Sequence, residues 1–531
     1  MTVFYLDGDL AADTGDGSAG SPWKDLSHLR AQTGNDHVFY LVGDFRNQTF
    51  GTNSQIEYGG TGWQVLGTTR DGLKPKAGMT AAFWSAVNIT SVTIAAGLAT
   101  VVTSAAHGVG GNSGVVLVAG ITGGAAIANG YWVVTVVNAT TYTFVLTGTE
   151  TSAGEGTSLQ TMHHLPCVRI LNTRTGAILK DLDIARTRYA VQTTGSSGGA
   201  LTGFEAWRID ASYTGDHAFA NSWASDGARF LYCTVSFAIN DAFNFSGSSP
   251  YNTDYEVGWC VGSDLGFNPD GSASVSGGAG DFSTNHSGNY GDTHDFVVRR
   301  CLKGAVTHVN TTGTSRAWNG YFEYCRDNGI HQNSGGTLIV FNVRGVAHSD
   351  ITLTSSTTHA LITFSNGSGG EVYNSTFVTA KGTIASFTTA CVCWSNRGTG
   401  TVLVKNLVCV SDGSAPIAYI AGGGTTTQTT NGYSHTGTLF YNAGNKTLAQ
   451  FDPGGLSVYT IAAGTAPTSA LADWKMVGDK KTGTDLSGVG QSELLTDEAG
   501  VARPTGSPWD LGALVRRSSA HDFIGVGVGI T

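Results

Sequence analysis

The sequence predicts an all-β chain organised as a parallel β-solenoid, with one small antiparallel β-barrel or sandwich inserted in it. Three observations point there. The composition is that of strands joined by tight turns: 531 residues hold 75 glycines, only 10 prolines and 13% charged side chains, with Thr, Ser, Val and Asn abundant. Short alternating strands that close on Cys or Asn recur along the middle of the chain. One block, residues 88–159, breaks that pattern with an almost uncharged alternation of Val, Thr and Tyr between Gly-rich turns.

The recurring strands are "ARFLYC" to Cys233, "YEVGWC" to Cys260, "DFVVRRC" to Cys301 and "GYFEYC" to Cys325, continued by "TLIVFN" to Asn342, "GEVYN" to Asn374 and "TVLVKN" to Asn406. Apart from one long insertion, the intervals suit solenoid coils. Coils stacked about 4.8 Å apart bring equivalent side chains into columns. The pattern predicts one internal column in which Asn pairs amide to amide and Cys fills the same small slot. The thiols are therefore expected to be structural and reduced. Cys391 and Cys393 alternate as one strand would, and no spacing of the eight cysteines suggests zinc.

The net charge of −10 is spread along the chain with no basic block, which argues against nucleic acid as a partner. No stretch approaches the length of an apolar membrane span and the start carries no secretory pattern, so neither membrane insertion nor secretion is expected.

The opening "FYLDGDLAADTGDGSAGSPWKDLSHL" (4–29) resembles the first segment of right-handed parallel β-helix proteins of the pectate-lyase-like superfamily. There a strand and an Asp- and Gly-rich loop lead through a Pro-Trp-Lys step into a capping helix. The ending "TDEAGVARPTGSPWDLGAL" (496–514) is similar to the matching last coil. The segment "AHG(V)…ANGYWVVTVVNATTYTF" resembles a module named after the first catalytic-cysteine half-domain of ubiquitin-activating enzymes, which bacteriophage structural proteins carry as an insert. It holds no cysteine, so no ubiquitin-like chemistry is implied. The expected organisation is an N-terminal cap and first coils over 1–87, the insert over 88–159, the main β-helix over 160–465, and last coils with a tail strand over 466–531. The apolar tail "HDFIGVGVGIT" is expected to pair with another chain.

Candidate chemistry clusters between Cys260 and Cys301, where Asp264, Asp270, Asp281, His286, Asp292, His294 and Asp295 fall within about thirty residues. The coil before it offers "NDAFNF" with Asp241 and Asn244, and "GDFSTNH" reads as a second copy of that turn. Such turns resemble strings on the glycan-binding side of superfamily members. Two carboxylates roughly 5–9.5 Å apart suit glycoside hydrolysis. Asp241 with Asp281 is the first candidate pair, and His286 or His294 would tune a pKa or hold a sugar. Asn244, Tyr251, Tyr290, Asp292 and Asp295 complete the candidate substrate contacts. The competing reading makes these residues turn caps that bond to backbone N–H groups. A lyase would need an outward base, and of Arg299 and Arg300 alternation leaves at most one facing out. Among the aromatics Tyr251, Tyr255, Trp259, Tyr290, Trp318 and Tyr321, the strand setting assigns Trp259 and Tyr321 to internal stacking, and the loop setting makes Tyr251 and Tyr290 sugar-facing. No metal and no cofactor is expected.

The resemblance implies a bacteriophage virion protein of the tailspike or tail-fibre type, a homotrimer made in the host cytoplasm and released by lysis. Its expected partners are a host surface glycan and other virion proteins. The alternatives are an endo-acting depolymerase and an architectural head, neck or collar spike. No particle-anchoring domain is evident before the cap.

Overall fold

The structure, a computed structural model, describes residues 1–45, 54, 56–67, 81–84, 86–109, 113–119, 121, 123–146, 152–154, 160–162, 166–171, 173–194, 201–221, 225–246, 252–267, 280–286, 290–309, 313–325, 328–347, 360–379, 392–396, 398–411, 418–420, 425–429, 432–434, 440–441, 456–457, 482–483, 486–496, 502–503, 505–506 and 509–510. The chain divides into two compact units, Met1–Ser287 and Gly288–Thr531. Each is built from parallel coils, and the fold is an all-β, right-handed parallel β-helix with an antiparallel barrel inserted in the first unit.

A coil has three strands separated by two sharp corners and a longer turn. In the first unit one coil runs through Arg229–Leu231, Thr234–Ser236 and Phe243–Phe245, and the next through Asn252–Gly258, Val261–Leu265 and Ser283–His286. Their register is residue on residue: Arg229 on Glu256, Thr234 on Val261, Phe243 on Ser283. Register decides which side chains stack inside. Phe219 lies on Phe243 with centroids 4.9 Å apart and planes 5° apart, and Phe230 of the facing wall packs on both.

Each corner is made by one residue in the left-handed region. In the first unit the first corner uses Asp181, Arg208, Tyr232 and Trp259, and the second uses Arg186, Tyr213, Phe237 and Asp264. In the second unit the first corner uses Asp295, Asn319, Asn342, Asn374 and Asn406, and the second uses Arg300 and Tyr324. A single left-handed residue bends the strand, and the side chain after it points inward.

This resolves the predicted Cys and Asn column into three. Cys233 and Cys260 are the inward residues after the first corner of their coils. Cys301 and Cys325 stand in register after the second corner of theirs. The asparagines are themselves first-corner residues, in line with Asp295 and Asn319: Asn319 donates to Asp295 (3.3 Å), Asn342 to Asn319 (3.3 Å) and Asn406 to Asn374 (3.1 Å). The amide ladder exists, but no cysteine shares it. Asn suits the corner because it tolerates a positive φ better than other side chains with a Cβ.

At the N-terminus the cap helix Leu26–Ala31 starts at Asp25, whose side chain accepts the Ser27 N–H (2.6 Å), and it buries Leu26 and Leu29. Trp23 of the Pro-Trp-Lys step stacks between Phe4 and His28 at 4.9 Å from each. The insert follows the strand Ala81–Trp84. Its strands Ala86–Ala95, Leu98–Thr103, Thr141–Val145, Gly130–Asn138, Ser113–Ala119 and Gln160–Met162 pair in a closed antiparallel ring, and Ser152–Gly154 adds to the first. Ile239 of the β-helix completes the barrel's core, and Tyr213 packs against it. Among the described residues no helix is long and apolar enough to cross a membrane. The tail strand proposed at 521–531 lies outside the described residues.

The interior of the second unit holds polar groups. His308 is 1% exposed, stands in register with Gln332, and its Nδ1 meets no partner among the described residues. Burial, and then the charge of His331, push its pKa down to about 3. The unfolded chain takes up a proton near the ordinary histidine pKa and the folded one does not. Stability is therefore complete above about pH 6.5 and falls as pH drops toward 3, by on the order of a few kcal/mol in total. His308→Gln is expected to flatten that acid limb in urea unfolding measured from about pH 4 to about pH 8; an unchanged limb would show that the loss comes from other groups.

Candidate functional site

The predicted site residues divide between the two units. In the first, the turn leading into the third strand stacks Tyr189, His217, Asp241 and Asp281 at equivalent positions on successive coils, two residues before the in-register set Val191, Phe219, Phe243 and Ser283. Asp241 and Asp281 are thus neighbours, but they are 1% and 2% exposed. The Asp241 carboxylate is occupied: Oδ1 accepts the N–H groups of Gly280 and Asp281, each at 3.1 Å, and Oδ2 accepts Asn244 Nδ2 at 2.7 Å. His217 Nδ1 lies 3.3 Å from the same Oδ2. Burial pushes this carboxyl up, but His217, Asn244 and the Gly280 N–H overcome it and hold the pKa down, at about 2. The pair therefore faces the protein and not solvent, because the turn's backbone donors need an acceptor where the repeat places an Asp.

A second row lies beside it. Asp216 accepts from Tyr189 Oη (2.8 Å), Asn240 Nδ2 (3.1 Å) and Arg188 Nη2 (3.3 Å). Burial raises Asp216, but His217, whose Nε2 lies 3.5 Å from Oδ1, together with Tyr189, Asn240 and Arg188 lowers it further than burial raises it. His217 is pulled the other way: burial lowers its proton affinity, and Asp241 and Asp216 raise it more. The histidine serving Asp241 is His217, where the sequence offered His286 and His294. The equal spacing of Tyr189, His217 and Asp241 from the following strand was the signal for it.

In the second unit the other candidates hold packing together. His294 stacks on Trp318 at 4.5 Å and bonds through Nδ1 to Asp295 (2.8 Å). Trp318 continues onto Phe341 at 5.7 Å, and Leu486 and Leu494 cover this outer stripe together with Ile339 and Tyr373. Asp292 clamps the Arg316 guanidinium, which also reaches Glu493 at 3.3 Å. Asn342 donates to the Thr496 carbonyl (2.8 Å) and accepts from Arg503 (3.0 Å). Asp292, His294 and Asp295 therefore serve the seat of the C-terminal segment. Tyr290 is part exposed beside Gly313, and Tyr251 lies outside the described residues.

The surface aromatic feature is elsewhere. Trp259, assigned from its strand to internal stacking, is 43% exposed, and Tyr232 is 46% exposed. They stack with centroids 5.0 Å apart and planes 8° apart, and Trp207 extends the column at 5.9 Å with Lys180 over its ring at 5.1 Å. The corner turns these rings outward: with Cys233 and Cys260 inward, the residue before each faces out. Arg208 stands at the same corner and is held by the Asp181 carboxylate, Nε at 2.5 Å and Nη2 at 2.9 Å. Beyond the corner, Asp183 and Asp210 are in register on the outer face of adjacent coils. Partial loss of water, and then Asp183, push Asp210 up to about 6. No pattern in the sequence distinguishes this pair from other surface acids. Among the described residues no group of three or more His, Cys, Asp or Glu side chains is placed to hold a metal ion.

No protein-family model matches the sequence, and no curated protein matches it. Solved structures do. The lacto-N-biosidase of family GH136 from Eubacterium ramulus is similar at 9% identity over 82% of this chain and 68% of its own, with a TM-score of 0.41. A structure described as a glycoside hydrolase is similar at 9% identity over 86% of this chain and 99% of its own, with a TM-score of 0.37. The gp54 tailspike of Acinetobacter baumannii bacteriophage AP22, solved with a capsular saccharide, is similar at 9% identity over 81% of this chain and 80% of its own, with a TM-score of 0.25.

Replacing Asp241 by Ala strands two backbone N–H groups, Asn244 and His217 in a buried turn. The expected loss is roughly 3–5 kcal/mol, read as a lower urea midpoint for the first unit at neutral pH. Because the folded pKa is depressed, this contribution is present above the ordinary Asp range and fades as pH falls toward about 2. An unchanged midpoint would return Asp241 to the list of groups available for chemistry.

Proposed function

We propose that this chain is a bacteriophage virion protein of the tailspike or fibre type, a homotrimer, which recognises a host surface polysaccharide through the Trp207, Tyr232 and Trp259 column. The observation that carries the reading is the exposed column itself. Tyr232 and Trp259 hold positive φ values of 58° and 53°, a conformation that costs a bulky side chain roughly 1–2 kcal/mol. The first-corner residues of the second unit are Asp295 and four asparagines, small polar side chains that sit there with less strain. A bulky aromatic kept at a strained position, half in water and stacked on its neighbour, stabilises the interior little. It does offer apolar surface repeating near 5 Å to the C–H faces of successive sugars, with Lys180 and Arg208 beside it for polar contacts.

The test is binding to a panel of purified capsular polysaccharides and lipopolysaccharides, followed by intrinsic tryptophan fluorescence. Trp259→Ala and Tyr232→Ala are each expected to weaken binding about tenfold, equal to about 1.4 kcal/mol, with the unfolding midpoint unchanged. Full affinity in both variants would remove the column from recognition. No binding by the parent protein would favour the architectural reading.

One observation favours the depolymerase alternative. Asp183 and Asp210 face out two residues beyond the column's corner, at the short separation of neighbouring rungs, and Asp210 holds its proton up to about pH 6. In such a pair the protonated member serves as acid and the ionised one as nucleophile or base. On this reading a bound polysaccharide releases reducing ends, and Asp210→Asn lowers the rate at least about a hundredfold without changing binding. Binding with no reducing ends would leave an adhesin.

A further inference from the structure

We propose that Cys301 and Cys325 are a redox pair that closes to a disulfide when the protein meets a thiol oxidant. They are in-register neighbours on adjacent coils of the second unit. That spacing, about 4.8 Å between parallel strands, falls inside the Cα separation of about 4.4–6.8 Å that a disulfide spans. Their sulfurs already point at each other, 2.7 Å apart. Cys301 is buried, but Cys325 is only half-buried, which gives an oxidant one reachable thiol.

The other in-register pair shows the contrast. Cys233 and Cys260 are both buried, and their thiols meet each other and the backbone. Cys260 Sγ accepts the Cys233 N–H (3.3 Å) and approaches the carbonyls of Phe230 (3.3 Å) and Gly258 (3.2 Å), and Cys233 Sγ approaches those of Leu231 (3.5 Å) and Ala206 (3.7 Å). Exposure therefore separates the two pairs: only the pair after the second corner includes a thiol that is not fully buried.

The chemistry balances with a disulfide oxidant such as oxidised glutathione. Cys325 loses its proton and its thiolate attacks one glutathione sulfur, forming a mixed disulfide and releasing one glutathione. The Cys301 thiolate then attacks the Cys325 sulfur, the Cys301–Cys325 bond forms, and the second glutathione leaves. The two cysteine protons end on the two glutathiones, and two electrons pass from protein to oxidant. The setting, reduced during synthesis and oxidised outside the host, rests on the virion reading. The reaction does not, so failure of glycan binding leaves it standing.

The experiment treats the folded full chain with oxidised glutathione and reads intact mass and a non-reducing peptide map. The expected result is a loss of about 2 Da, one linked peptide pair containing Cys301 and Cys325, and reversal by dithiothreitol. Cys233→Ser is expected to leave the link intact, and Cys301→Ser to stop at a stable glutathione adduct on Cys325. The parent map decides the matter even where a variant does not fold. A glutathione adduct on Cys325 with no link in the parent chain, no reaction of either thiol, or a link between Cys233 and Cys260 would each overturn the proposal.

Discussion

The in-register backbone pairing of one coil with the next is the constraint on which everything else in each unit depends. A parallel rung presents the same residue number of each coil at the same place. Every choice made once is therefore repeated against itself: phenylalanine on phenylalanine in the core, amide on amide at a corner, carboxylate on carboxylate outside. Like partners suit apolar and amide groups and do not suit charges. The charged positions show how the conflict is settled. Glu205 and Glu256 flank Arg229 along one column, and Arg208 is held by Asp181. Where Asp183 meets Asp210 with no such alternation, one carboxyl keeps its proton to a higher pH.

The corner residues show how a single backbone device serves two purposes. A left-handed residue is needed because the chain must turn sharply without leaving its rung. Asparagine meets that need at least cost and adds an amide ladder, which is what the second unit does from Asn319 to Asn406. The first unit places Arg208, Tyr232 and Trp259 at the same point of its coils. Such a substitution raises the local cost and moves aromatic area into water. Both effects oppose folding, and the stacking of Trp207, Tyr232 and Trp259 with Lys180 over the first ring works against them.

Much of this architecture was legible in the strands themselves. Alternation up to Cys233, Cys260, Cys301 and Cys325 marked coils, the Pro-Trp-Lys step marked the cap, and the charge-free block marked a separate barrel. The column assignment was not legible, because a strand end looks the same whether the corner falls one residue before the cysteine or after the whole strand. The offset that separates Asn342 from Cys325 emerges only when both are placed in register with their neighbours. The site was harder still. Asp241 is an acidic residue in a polar turn whether its carboxylate meets solvent or the N–H groups of Gly280 and Asp281, and only the stacking of the next coil decides between them. Trp259 was misplaced for a related reason: strand alternation was extended through a corner that resets it.

The C-terminal segment carries the same logic to the outer wall. His294, Trp318, Phe341 and Tyr373 occupy one outward column of the second unit. Left in water it would form an apolar stripe of the kind that soluble chains rarely leave bare. Leu486 and Leu494 cover it, Glu493 meets Arg316, and Thr496 and Arg503 close on Asn342. Two outward aromatic columns thus meet opposite fates. The one at Trp318 is sealed by its own chain through paired charges and a buried arginine. The one at Trp259 stays half exposed with no segment among the described residues laid across it. Burial of the first shows that the chain can cover such a column, which makes the exposure of the second a property of that site and not of aromatic columns on this fold.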